Sequence, residues 1–355
     1  WEGLYGIDSA DLAAAPAGGT WTEISGFPGE ISAEEVFTWG TGAIVPDSDT
    51  GRIYFLNTGD PSWSFDPGSG NWTRVAAMTP GDLSPWATEA DQGDAVYIPG
   101  TGMTIAIRMN DGATMGYDVA TDTWSVVAPS NGEFIGRYGA RLVYDSASDK
   151  VVLFGGWNGY RRTDEGGYVG LDDTWIFDPA TARWTEMTPE QSPPGRVYHA
   201  MIYDAAADRV VVFGGATKFS GETLSDTWVY DTDTNTWTEM HPAEVPPARL
   251  GAYAWYDPAA GRTFVFGGSA DYSSAPPLPW MVLGGEELWA YDLDADAWTL
   301  YRTDANPGYR LWGTAAYQPA SGEVFIFGGQ TYGADRRYLG LAEDAWIYRH
   351  DASSN

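Results

Sequence analysis

The sequence predicts an all-β repeat protein, and three observations predict it. Trp followed by Thr or Ser recurs at Trp21, Trp72, Trp124, Trp184, Trp237 and Trp298, at spacings of 51, 52, 60, 53 and 61 residues. Five of these Trp are preceded, seven residues earlier, by an aromatic-Asp pair: Phe65-Asp66, Tyr117-Asp118, Phe177-Asp178, Tyr230-Asp231 and Tyr291-Asp292. Between them lie short β-branched and aromatic runs bounded by Asp, Gly, Pro and Ser, the local signature of strands and tight turns. A self-similar period near fifty residues marks a repeat architecture.

Each repeat reads as four strands, a to d, and the third shows the pattern. Strand a is expected over Tyr138 to Tyr144, closed by a turn from Asp145 to Lys150. Strand b is expected over Val151 to Phe154 and ends at Gly155-Gly156. After a long loop, strand c is expected over Thr174 to Phe177, and strand d opens at Trp184 after the turn from Asp178 to Arg183. Further Gly pairs stand at Gly214-Gly215, Gly267-Gly268 and Gly328-Gly329. Glycine at a strand end permits a bulge or the close approach of a neighbouring sheet.

Phe-Gly-Gly after an apolar strand, then Asp-x-Trp-x-aromatic-Asp, then Trp-Thr, resembles the kelch repeat. The match is strong in repeats three to five. Repeat six has Asp344-Ala-Trp346-Ile-Tyr348 but no closing Trp, and repeats one and two lack the Gly pair. The resemblance implies a kelch-type β-propeller, with four-stranded blades around a central channel. Six strand pairs a–b and six Trp-bearing d strands predict six blades, with residues 20–24 completing the C-terminal blade. Residues 1–355 are then a single domain. Tyr5-Gly-Ile7-Asp8 also looks like a strand c, which keeps a seventh blade as the alternative.

Composition narrows the function. The formal net charge is −30, and of nineteen basic residues only Lys150 and Lys218 are Lys. Nucleic acid is an unfavourable partner, because phosphate binding needs clustered positive charge. No run is long and apolar enough for a membrane helix. With no Cys, disulfides, thiolate metal sites and a Cys nucleophile are excluded. The chain begins at Trp1 rather than Met, and a secreted or periplasmic setting is expected.

The short a–b and c–d turns fall on one face of the disc and the longer b–c and d–a connections on the other. Long aromatic loops on a rigid scaffold are where binding residues gather. Trp157 and Arg161, Tyr272 and Trp280, and Arg336 are the candidates from these loops. Arg137, Arg196, Arg249 and Arg310 recur at the entrance to strand a, with Trp39 and Gln92 at the corresponding places in repeats one and two. If strand a is innermost, four guanidiniums converge on the channel mouth. Guanidinium is a planar fork matched to carboxylate or phosphate. Arg is also a frequent kelch consensus residue here, with a structural role.

The expected function is a recognition scaffold for an anionic glycan or acidic peptide, non-catalytic and without cofactor or metal. Two alternatives stand beside it. One is an enzyme on an acidic sugar, of mutarotase, glycosidase or lyase type, with Glu34, Glu35, Glu89 and Asp91 as its carboxylates. The other is a subunit docked through one face into a larger assembly. The galactose-oxidase type of kelch propeller needs a Tyr–Cys crosslink that a Cys-free chain does not form, and His199, His241 and His350 are too few for a strong metal signal.

Overall fold

The computed structural model describes residues 15–24, 43–56, 62–77, 95–108, 111–130, 132, 134, 136–158, 169–217, 222–270, 287–303, 305–319, 321–332, 338–342 and 344–351. Among them are six four-stranded antiparallel sheets and one three-stranded sheet, and no helix. The four-stranded sheets are arranged as blades of a β-propeller, each with its strands in the order a-b-c-d, and the three-stranded sheet joins Arg310–Leu311, Gln330–Tyr332 and Tyr338–Leu341.

Blade one holds Ala43–Pro46, Ile53–Leu56, Ser62–Asp66 and Asn71–Val75. Blade two holds Ala95–Ile98, Met103–Ile107, Thr114–Asp118 and Thr123–Ala128. Blade three holds Arg141–Asp145, Lys150–Phe154, Thr174–Asp178 and Arg183–Met187. Blade four holds Ala200–Asp204, Arg209–Phe213, Thr227–Asp231 and Thr236–Met240. Blade five holds Tyr253–Asp257, Arg262–Phe266, Leu288–Asp292 and Ala297–Tyr301. Blade six takes Thr314–Gln318, Glu323–Phe327 and Ala345–His350, and its strand d is Gly19–Ile24, with Trp21 opposite Tyr348.

Strand a of blade three starts three residues later than its sequence suggests. Gly139 has a φ of 61°, which breaks the extended run, and Tyr138 instead makes an isolated bridge to Trp157. The segment Tyr5 to Asp8 lies outside the described residues.

Innermost are the a strands. Each touches the a strand of the next blade from one through six, and the a strand of blade six touches that of blade one. Strands b are buried along most of their length, as in Val151, Val152, Leu153 and Phe154. A strand covered on both faces reads as a continuous apolar run rather than an alternating one. The core lies between blades: Val152, Phe154, Val210, Val212, Trp228, Tyr230 and Trp237 pack together across blades three and four.

The recurrent aromatic-Asp and Trp have a physical reason. Tyr230 packs on Trp237 with ring centroids 4.8 Å apart, and its hydroxyl donates to Asn235 at 2.8 Å, within the c–d turn. Tyr291 does the same with Trp298 and Asp296. The indole N–H of strand d then reaches the preceding blade. Trp184 donates to Thr114, Trp237 to Thr174 and Trp298 to Thr227, at 2.7, 2.9 and 3.0 Å. The next such pairing is broken, because the first residue of strand c in blade five is Leu288, and Trp21 Nε1 is buried without a partner among the described residues.

Candidate functional site

The site on the long-loop face is built on the Gly pairs. Gly155, Gly214 and Gly267 have φ of 71°, 65° and 68°, and a Cβ on each would lie 2.7, 2.5 and 2.6 Å from the carbonyl of Arg196, Arg249 or Arg310 in the next blade. Those same carbonyls accept the N–H of Gly156, Gly215 and Gly268. Glycine is required because the neighbouring backbone occupies the space of a side chain.

The four recurrent arginines are turned into the blades. Arg137, Arg196, Arg249 and Arg310 are 4%, 0%, 1% and 2% exposed. Arg196 donates to the carbonyls of Pro194 and Gly214 and forms a two-pronged pair with Asp226 at 2.7 and 2.8 Å. Arg310 forms the same pair with Asp344, Arg137 bonds Asp173 at 2.6 Å, and Arg249 reaches Glu287 at 3.4 Å. The expected ring of guanidiniums offered to an anion is therefore corrected to a set of internal ion pairs. Burying a charge is costly unless it is paired and hydrogen-bonded, and each blade from three to six brings its own carboxylate. The acid also receives the indole N–H two residues on: Trp175 donates to Asp173, and Trp228 to Asp226.

These partners carried a signal in the sequence. The acid two residues before the strand-c Trp appears in the blades that have the Arg. In blades one and two, which lack the Arg, the corresponding residues are Pro61 and Ala113.

Two residues after each Arg stands the feature that sequence reasoning missed. Gly139, Tyr198, Gly251 and Trp312 occupy equivalent places in blades three to six, and all have left-handed φ, 61°, 57°, 64° and 66°. Their backbones bond in series around the inner edge. Tyr198 N–H donates to Gly139 C=O at 2.8 Å, Gly251 N–H to Tyr198 C=O at 2.9 Å, and Trp312 N–H to Gly251 C=O at 3.0 Å. The Tyr198 ring covers Gly139 and the Trp312 ring covers Gly251, and Tyr198 meets Trp312 edge-on with centroids 4.7 Å apart. Non-glycine residues with φ above zero are uncommon, and bulky ones are held there only by a surrounding structure that over-determines them.

Tyr198 is itself buried, in a cluster with Val197, Ala216 and Leu250, and half-buried Trp157 and Trp312 pack against it. Trp157, a sequence candidate, is held by a two-way backbone bridge to Tyr138, their rings 5.6 Å apart. The result is an aromatic cap at the inner end of the loop face. The one sequence trace of it is that Gly139, Tyr198, Gly251 and Trp312, each two residues after its Arg, alternate glycine with an aromatic residue.

The other sequence candidates, Trp39, Gln92, Arg161, Tyr272, Trp280 and Arg336, and the carboxylates Glu34, Glu35, Glu89 and Asp91, lie outside the described residues. His199 is fully buried against Phe154, and neither of its ring nitrogens has a partner among the described residues. Burial, then the charges of Arg196 and Arg141, hold it well below its ordinary pKa. Asp47 and Asp231 serve their own turns, accepting from Asp49 and Thr50 and from Thr234. No group of three metal-ligating side chains is gathered among the described residues.

Comparison with known proteins gives the same repeat. Residues 87–275 and 144–354 match a family model described as the KLHDC2/KLHL20/DRC7 Kelch-repeats domain. Kelch domain-containing protein 10 of Homo sapiens is 23% identical over 302 residues, covering 80% of this chain and 61% of that protein. Adagio protein 3 of Arabidopsis thaliana is 25% identical over 234 residues, covering 63% of this chain and 35% of that protein. A solved structure described as "Structure of YjhT" superposes with a TM-score of 0.60 at 15% identity, over 86% of this chain and 93% of that one. The chain thus spans less than two thirds of the length of these two relatives, and the structural likeness speaks for the fold. With its family match, its Gly pairs and its Asp-x-Trp strands in register, the chain belongs to the kelch-repeat family.

Proposed function

We propose that this chain is a non-catalytic recognition scaffold, a six-bladed ring that takes a peptide or glycan on its long-loop face. The ring is supported by the contact of blade six with blade one and by the strand Gly19–Ile24 pairing with Ala345–His350. The carrying observation is the aromatic cap: Tyr198 and Trp312, both in left-handed backbone, joined by the hydrogen-bond series through Gly251. Half-buried Trp157 and Trp312, held rigid on buried Tyr198, offer contact area at little conformational cost, which suits them to recognition. A kelch scaffold itself supports a role in protein interaction.

A preference for anionic ligands no longer rests on the four buried arginines. It passes to Arg161 and Arg336 in the loops, and a secreted or periplasmic setting belongs to the same proposal. The experiment is selection of peptides from a displayed library, with a glycan array in parallel, followed by affinity measurement on Trp157→Ala and Trp312→Ala. Binders that lose about tenfold or more on these variants support the reading. Binders indifferent to both, and mapping to the short-turn face, defeat it.

A further inference from the structure

Strand d is the outer edge of each blade, and blade two leaves that edge bare. Two residues after the Trp of strand d, four blades expose a charge: Glu23, Arg74, Glu186 and Glu239. Charged side chains on an edge strand discourage further strand pairing. Blade two carries Val126 in this place, 48% exposed, and its strand Thr123–Ala128 contains no charged residue. The backbone groups it turns away from strand c have no hydrogen-bond partner among the described residues. A bulge at Val127 ends the regular stretch, which leaves Thr123 to Val126 as the platform.

Blade five has the other uncharged outer strand, Ala297–Tyr301, with Leu300 in the place of Val126. The continuation of that strand is joined by a further extended segment of the chain. Arg302 N–H donates to Pro16 C=O at 2.8 Å, and Gly18 N–H donates to Arg302 C=O at 2.9 Å, which sets Ala17 beside Arg302 as a parallel bridge. Blade two has no such segment among the described residues.

A second departure gives the occupant its chemistry. The Asp that ends strand c faces a cation in four blades: Arg52 with Asp66, Lys150 with Asp178, Arg209 with Asp231 and Arg262 with Asp292, at 3.9, 3.6, 2.6 and 3.5 Å. In blade two Met103 stands opposite Asp118 instead. This partly exposed carboxylate accepts the N–H of Ala120 and Thr121 in its own turn and has no basic partner among the described residues. On its other side Asp118 stands opposite Thr123, the first residue of the bare edge. Neighbouring strands lie about 4.8 Å apart, so a Lys or Arg on an added strand reaches Asp118 across the short Thr123 side chain. The chain charge of −30 also draws a basic segment towards the protein.

We propose that the outer edge of blade two binds an extended basic segment of a partner protein as a fifth strand, with an apolar residue beside Val126 and a Lys or Arg beside Asp118. The edge is separate from the aromatic cap, so either can fail while the other stands.

The test pans a displayed library of short linear peptides against the full chain and carries each binder to Val126→Glu, which installs the residue that blades three and four have there. Binders to the edge alternate β-branched residues with Lys or Arg. They lose about tenfold or more on Val126→Glu and keep their affinity on Val126→Thr and Trp312→Ala. Methylating alternate backbone nitrogens of such a peptide abolishes binding, because an added strand is held by main-chain hydrogen bonds. Asp118→Asn, which keeps the turn, weakens binding about two- to fivefold, and changing the peptide's Lys to Gln removes that difference. A library that yields no binder sensitive to Val126→Glu overturns the proposal, and so does binding indifferent to backbone methylation. Self-association of the chain that Val126→Glu abolishes assigns the edge to a second copy instead, which also overturns it.

Discussion

Trp237 of blade four donates its indole N–H to Thr174 Oγ1 of blade three at 2.9 Å, and both residues are fully buried. The bond is a side-chain clamp between the outer strands of neighbouring sheets, in addition to the hydrogen bonds that join the two blades at their inner edge. Trp21 holds the equivalent place in blade six and has no such acceptor. Trp237→Phe should therefore destabilise the protein by about 1 kcal/mol more than Trp21→Phe, since only the former orphans a buried hydroxyl. Paired urea titrations measure the difference, and Thr174→Val on the Trp237→Phe background should recover most of it.

The arginine pairs should behave as buried charges. Asp226→Ala leaves the Arg196 guanidinium, at 0% exposure, without its counter-ion. A loss of about 3–5 kcal/mol is expected. Lys150 and Asp178 sit 3.6 Å apart with both side chains 31% exposed, and Lys150→Ala should cost less than about 1 kcal/mol. Chemical denaturation of both variants checks the contrast.

His199 should make stability depend on pH in a defined window. Its unfolded value is near 6.5, and burial with the charges of Arg196 and Arg141 lowers the folded value. Below pH 6.5 the unfolded chain takes up a proton that the folded chain refuses. Stability therefore falls as pH drops, by at most about 1.4 kcal/mol per unit from this group, and levels off once the folded imidazole is protonated. Asp344 acts lower. Burial pushes its carboxyl up, but the hydrogen bond and charge of Arg310 and the Trp346 indole hold it below 3.8, so its contribution is kept above that range and lost beneath it. His199→Met should flatten the decline between pH 6.5 and 5, read from urea midpoints.

Gly251 should not tolerate a side chain. Its φ is 64°, and a Cβ would lie 2.8 Å from the Trp312 ring. Gly251→Ala is expected to cost about 1–3 kcal/mol and to shift Trp312 off Tyr198. Thermal melts give the first, and a changed near-ultraviolet circular dichroism band gives the second.

The repeat, the four-strand module and the Trp-bearing strand d were legible because each leaves a periodic trace. Tyr230, Asp231 and Trp237 are close in sequence, so one local pattern reports one local structure. The arginines were legible as positions but not as roles. Arg196 and Asp226 are 30 residues apart, and nothing local says that they meet. Tyr198 and Trp312 escaped notice for a related reason. They look like ordinary aromatic residues until backbone angles show that both share a conformation usually left to glycine.

The pairing of Gly19–Ile24 with Ala345–His350 joins residues some 330 positions apart, as the bond from Tyr348 to the Gly18 carbonyl shows. On the ribosome the first of these strands emerges long before its partner exists. Its partner strand does not exist until His350 has been made, so the sixth blade is the one sheet whose completion depends on both ends of the described chain, and its long-range closure carries the largest loop-closure entropy of any sheet pairing here.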